Sequence, residues 1–285
     1  MDFITNAVTK GFWNSLAELA SDCIKAAIDI IIDCVVSLSD VNKYINTSEY
    51  LSYVYAIAGG LLIVNIIYQG MKSQTGLVQM RSLSELTMRT VFGAAGIYVL
   101  PWSFMNIMIP LNNFLMYAIN SIGQEITAER LVKMLVFDLT GGVSGFVILM
   151  GLIWSIALIV FGIAGGIRHI ELIITTLIAP IMSVSLIKGN EGCETWFKEA
   201  ICIVFTQSVH MLLLKLLINI CTQTSGLIMV ILTIGIVAIA IRGPQVIRNY
   251  MYSSGVGSTG VGAVGGGVRM MAMSRMFSAA NPVSA

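Results

Sequence analysis

The chain has 285 residues, 56% of them hydrophobic and only 11% charged, with a formal net charge of +1 and a mean hydropathy of +0.87. Soluble domains carry about 25% charged residues, so this composition excludes an ordinary soluble fold. The near-neutral balance also excludes a global field that steers the chain to nucleic acid.

Four stretches carry no charge for more than 20 residues: Tyr50–Met71, Thr90–Gln124, Leu139–Ile167 and Leu216–Ile241, of 22, 35, 29 and 26 residues. About 20 mostly apolar residues cross a bilayer as a helix, and lipid tolerates only helices or closed barrels. The runs lack the alternation of barrel strands, so an all-α polytopic membrane protein is expected.

In chain order, residues 12–38 read as an amphipathic helix. Glu18, Asp22, Lys25, Asp29 and Asp33 recur at gaps of 4, 3, 4 and 4 and share one stripe. Trp13, Leu16, Leu19, Ile24, Ala27, Ile31 and Val35 stand on the opposite face. Each charge in lipid costs roughly 2.5–3.5 kcal/mol even on the lenient scale. The helix is therefore expected along the membrane surface or against a partner; the alternative is a water-exposed stripe lining a shared chamber. On that alternative Glu18, Asp22, Asp29 and Asp33 are channel-facing or partner-facing polar residues. No secretory leader is evident in the first 30 residues.

Tyr50–Met71 is the cleanest span. The connector Lys72–Arg89 holds Lys72, Arg81 and Arg89 against Glu85, which places it in the cytoplasm and the acidic N-terminus outside. Thr90–Gln124 is cut by Pro101 and Pro110 and predicts a span to about Met108 followed by an interfacial stretch. Glu125–Asp138 reads as a short external helix. Gly141–Ile167 returns inward and ends at Arg168, His169 and Glu171. Leu172–Ile187, 16 uncharged residues around Pro180, is marginal as a separate crossing. After the polar connector Lys188–Glu199, residues Ala200–Ile241 are apolar apart from Lys215, with a polar break at Cys221–Gly226. Lys215 is either a bundle-interior, channel-facing group or a snorkelling one. The count is about five spans, with six the alternative. The layout divides into an acidic N-terminal segment (1–49), a bundle (50–242) and a Gly/Ser-rich basic tail (243–285).

The tail, with Arg242, Arg248, Arg269 and Arg275 and no acid after Glu199, reads as disordered and cytoplasmic. Its arginines suit anionic lipid headgroups or, as the alternative, DNA phosphates. Gly255–Gly260 spells G-x-G-x-x-G, but a nucleotide site needs a strand before it and a helix after it; low complexity is the reading here. Gly142-Val-Ser144-Gly145 matches the G-x-S-G of rhomboid-type proteases, with His210 the only histidine on a later helix. A glycine-rich helix contact is the competing reading. Five scattered cysteines form no C-x-x-C and no metal cluster, so no cofactor or metal is expected.

The stretch Leu177-Ile-Ala-Pro180, then Gly192-Cys-Glu-Thr-Trp196-Phe-Lys198, then Thr206-Gln207 resembles the TrbL-type polytopic membrane component of type IV secretion and conjugation systems, in its short Gram-positive form. The resemblance implies an inner-membrane subunit that assembles with itself, with other secretion subunits and with separate ATPases, helping a relaxase-bound single DNA strand outward. Pro180, Trp196, Lys198 and Gln207 would belong to the family's helical hairpin. Such a subunit is not an enzyme. The alternatives are a secondary transporter, for which no internal repeat is visible, and an intramembrane serine protease built on Ser144.

Overall fold

The computed structural model describes residues 2–74, 83–122, 126, 145–189, 191–224 and 227–253. All of their regular structure is helical: α1 (Asp2–Ile31), α2 (Thr47–Gln74), α3 (Leu83–Ser103), α4 (Ile109–Ser121), α5 (Gly145–Ser183), α6 (Glu191–Gln223) and α7 (Leu227–Ser253). A π turn, Ile32–Val36, ends α1, another, Phe104–Met108, joins α3 to α4, and a 3₁₀ turn, Val184–Ile187, ends α5. Four stretches are long and apolar enough to cross a membrane: Thr47–Lys72, Ser84–Ser121, Ile148–Ile187 and Glu191–Gln223; a shorter apolar helix covers Leu227–Gly243. The chain is an all-α polytopic helical protein.

The prolines explain where the helices change register. Pro110 is the second residue of α4, where a missing N–H costs little because the first-turn donors have no partner within the helix. The π turn before it ends one α ladder and lets a new one begin. Pro101 and Pro180 both fall in the last turn or so of their helices, α3 and α5. Two sequence expectations change accordingly. Residues 84–121 form one continuous helical stretch through the π turn, without the break expected at the prolines. Leu172–Ile187 is the continuation of α5, not a separate segment, and Arg168 lies inside that helix.

The chain groups into two compact units. The first contains residues 1–45, 105–174 and 203–246; the second contains 46–104, 175–202 and 247–285. In the first unit a core of Ile24, Ile28 and Ile31 from α1, Trp154, Leu158 and Phe161 from α5, Met211 and Leu214 from α6, and Ile236 and Val237 from α7 is buried. Between lipid-embedded helices the contacts themselves, more than water exclusion, hold such a core.

The acidic stripe is where its spacing predicts. Glu18, Asp22, Lys25, Asp29 and Asp33 are exposed, while Ala17, Ala20, Ile24, Ala27, Ile31 and Val35 are buried. Leu19, expected on the apolar face, is exposed. The buried face follows α5 in parallel. Ala17 and Ala20 pack with Ile148 and Leu152, a Cβ on Gly162 would fall 2.6 Å from Ile30, and one on Gly165 would fall 2.7 Å from Val35. Small residues permit that approach. α1 thus runs alongside a candidate span.

In the second unit Ala58 of α2 and Ile97 of α3 close on Val184 and Ile187 after α5. Gly93 and Gly96 make room, since a Cβ on Gly96 would meet Ser183 at 2.9 Å. Residues 75–82, 127–144 and 254–285 lie outside the described residues, and with them most of the expected external helix, Ser144, Gly255–Gly260, Arg269 and Arg275.

Candidate functional site

In the first unit, four helices converge on a buried polar network where α1 ends. The last carbonyls of a helix have no partner inside it. Here Gln207, on α6 and 1% exposed, supplies the donors: its Nε2 donates to the carbonyls of Val35 (3.1 Å) and Ser37 (2.7 Å). Its Oε1 accepts from Asn112 Nδ2 of α4 (2.8 Å) and from the Ser39 hydroxyl. Ser208 donates to Asn112 Oδ1 at 2.7 Å. Asn113 and Ser39 form a reciprocal pair, Ser39 N–H to Oδ1 at 2.9 Å and Nδ2 to the Ser39 carbonyl at 3.0 Å. Every polar atom of Gln207 is therefore occupied, as buried amides require.

Arg168 of α5 enters the same network from the other side. It is 2% exposed. Its Nη2 donates to the Ser39 hydroxyl and its Nε to the Ile203 carbonyl at 3.3 Å. Its Nη1 has no hydrogen-bond partner among the described residues. Its hydrogen bonds go to neutral oxygens, with the Glu171 carboxylate of the same helix close enough to interact with its charge; burial is an expensive setting for a guanidinium. His169, the next residue, places Nε2 3.0 Å from the Asp40 carbonyl and its ring against Tyr44, centroids 5.0 Å apart. The segment 37–44 is thereby pinned to α4, α5 and α6 at several points.

Lys215 reaches across to the end of α4. Its amine donates to the carbonyls of Asn120 (2.8 Å) and Ile122 at the end of α4, where a cation also complements the helix dipole. His210 places Nε2 3.1 Å from the Ala240 carbonyl, so that nitrogen is the donor and not a free base.

The family-like residues divide between the units. Gln207 belongs to the network above. In the second unit the Trp196 indole donates to the Thr175 carbonyl at 2.9 Å and its ring meets Phe104, centroids 6.0 Å apart. Pro180, buried nearby in α5, cannot donate to Thr176, the residue four positions back. Lys198 pairs with Glu194 at 2.7 Å, and the Ser185 hydroxyl accepts from the Cys193 N–H at 2.9 Å in the first turn of α6. Pro180 through Trp196 is thus a packed helical hairpin. Arg248 of α7 pairs with Glu199 at 2.5 Å beside it.

Sequence reasoning singled out Gln207 but missed Ser39, Asn112, Arg168 and Ser208 as its partners. An arginine between the uncharged runs Leu139–Ile167 and Leu172–Ile187 was the available signal.

No curated protein and no solved structure matches the chain. The family model described as conjugal transfer protein TrbL matches residues 1–279. With nearly the whole chain matched, and with the apolar helices and packed hairpin that family membership leads one to expect, this protein belongs to the conjugal transfer TrbL family, a membrane-embedded component of conjugative type IV secretion.

Proposed function

We propose that the chain is a channel or scaffold subunit of the conjugative secretion machine, a non-catalytic part that helps relaxase-bound single-stranded DNA across the bacterial cell membrane. The observation that carries this reading is the clamp at the end of α1. Gln207, Asn112, Asn113 and Arg168 hold the 37–39 segment rigidly, so that α1 presents a fixed, exposed acidic edge from Glu18 to Asp33. Rigid presentation of an exposed charged edge suits assembly with other subunits. The reading places the C-terminus in the cytoplasm and the N-terminus outside, with further copies, other membrane subunits and the ATPases as partners.

The engagement of His210 with the Ala240 carbonyl argues for a structural histidine over a catalytic one. The test is deletion of the chain followed by complementation. Transfer should fall to background without it and return with the wild-type chain, and tagged protein should co-purify the other membrane subunits. Normal transfer in the deletion strain contradicts the proposal.

A further inference from the structure

Of the four candidate spans α2 is the least covered, with 11% of its apolar window buried against 50% and 56% for Ile148–Ile187 and Glu191–Gln223. Its uncovered face has an order. Tyr50, Tyr53, Ile57, Leu61, Val64 and Tyr68 recur at gaps of 3, 4, 4, 3 and 4 and are all exposed, so they form one helical stripe. Lys72 continues it four residues on. Tyrosines stand towards both ends with aliphatic side chains between them, the order a helix shows from one membrane–water boundary to the other. Tyr53 to Tyr68 covers about 22 Å at 1.5 Å per residue. α3 runs antiparallel beside it, since Tyr55 meets Tyr98, centroids 4.9 Å apart, and Gly93 lies against Leu62. The exposed Tyr98 and Trp102 therefore repeat the aromatic level at the Tyr53 end, and Arg89 falls at the Tyr68 end. Lipid is what covers a face of this order.

The Tyr68 end carries cations. The 3₁₀ turn after α5 seats Ile187 3.2 Å from where a Cβ on Gly93 would stand, which brings the next residue, Lys188, to α2. Its Nζ lies over the Tyr68 ring, 5.7 Å from the centroid, and both residues are exposed. Lys72, four residues beyond Tyr68, is its neighbour on the helix surface. Two ammonium groups thus flank one phenol where the apolar stripe ends. Arg89 and Lys198 at this end face carboxylates, Glu85 at 2.9 Å and Glu194 at 2.7 Å. Glu191 is in the first turn of α6, where it complements the helix dipole.

We propose that Tyr68, Lys72 and Lys188 form a binding site for the headgroup of an anionic phospholipid, with the phosphate between the two ammonium groups and the acyl chains along Val64, Leu61 and Ile57. Phosphate oxygens accept charge-assisted bonds from both lysines, and the phenol O–H is a further donor at the same level. A headgroup that carries its own cation cancels the charge the lysines read, so the site selects net-anionic lipid over zwitterionic lipid. A nucleic-acid strand has the phosphates but no use for the aliphatic stripe that leads away from them. Each lysine beside an anionic membrane surface is worth roughly fivefold in binding, and the pair about 25-fold.

The experiment uses the full chain in nanodiscs of phosphatidylcholine containing a small fraction of photoreactive phosphatidylglycerol, with labelled peptides identified by mass spectrometry. Label should fall on the peptides that hold Tyr68 and Lys188. Unlabelled phosphatidylglycerol should displace it, and added phosphatidylcholine should not. Lys72→Gln with Lys188→Gln should lower the labelling about 25-fold while the protein elutes unchanged on size exclusion, and Lys72→Arg with Lys188→Arg should retain most of it. Three results overturn the inference: equal labelling by a photoreactive phosphatidylcholine, labelling unchanged in the double Gln variant, or displacement by inorganic phosphate or a single-stranded oligonucleotide as readily as by lipid. The last would make the pair a general anion or nucleic-acid contact. Labelling is read with no DNA transfer in progress, so its failure is separate from failure of the transfer reading.

Discussion

Gln207 of α6 closes the end of α1 by donating to the Val35 carbonyl at 3.1 Å, and the same amide nitrogen reaches the Ser37 carbonyl at 2.7 Å. One side chain thereby satisfies two helix-end acceptors while its oxygen takes Asn112 and Ser39. Each buried polar group left without a partner costs about 1–3 kcal/mol. Gln207→Ala should therefore lower the melting temperature in detergent by several degrees. Gln207→Glu, of the same shape, should do at least as much harm, because it turns an acceptor toward two carbonyls. Thermal unfolding followed by size-exclusion chromatography checks both; an unchanged melt for either would remove Gln207 from its role as the clamp.

The glycines separate into contact and open positions. A Cβ on Gly165 would lie 2.7 Å from Val35 Cγ2 and 3.1 Å from the Cys34 carbonyl oxygen, whereas nothing lies within 4 Å of one on Gly59. The backbone atom cannot step aside as a side-chain tip can. Gly165→Ala should destabilise by about 1–3 kcal/mol through overpacking. Gly59→Ala should be neutral or stabilise by up to about 1 kcal/mol through helix propensity. Equal melts for the two variants would show that α1 does not pack on α5 at Gly165.

Trp196 contributes a ring and a donor that can be separated. Trp196→Phe keeps a ring beside Phe104 and loses the bond to the Thr175 carbonyl, an expected loss of about 1 kcal/mol. Trp196→Ala also opens a cavity and should cost about 3–5 kcal/mol. The order, wild type above Phe above Ala, is read from the same melts; a Phe variant as unstable as Ala would place the whole effect in the hydrogen bond.

Arg168 should behave in the opposite sense. A buried guanidinium whose hydrogen bonds go to neutral oxygens and whose Nη1 has no hydrogen-bond partner among the described residues is poor for stability, and apolar replacement of buried charges is often neutral or stabilising. Arg168→Met is expected to melt no lower than wild type and to transfer DNA less efficiently. A variant that melts well below wild type would make Arg168 a structural post.

Much of the architecture was readable because lipid leaves few options. The uncharged runs predict helices, the 4-3-4-4 spacing from Glu18 to Asp33 predicts an exposed stripe, and Pro180 with Trp196 marks the hairpin. The stripe's surroundings were less legible. Treating charges as markers of span ends put Arg168 at a membrane face, although α5 continues through it and neutral oxygens from two other segments, at Ser39 and Ile203, receive it. Pro101 and Pro110 read as breaks because sequence patterns do not reveal a π turn that restarts the helix between them. Asn112 and Ser39 stand nearly a hundred or more positions from Gln207, and no periodicity links residues so far apart.

The central claim, that this chain is a membrane subunit acting on the transferring strand, is tested most directly during transfer itself. Formaldehyde crosslinking of mating cells, followed by capture of the tagged chain and amplification of the transferred strand, should recover that strand from wild-type cells and not from cells lacking the relaxase. It should also recover the other membrane subunits with the chain. Strand captured equally well without the relaxase, or never captured while transfer proceeds normally and no subunit co-purifies, would contradict the account.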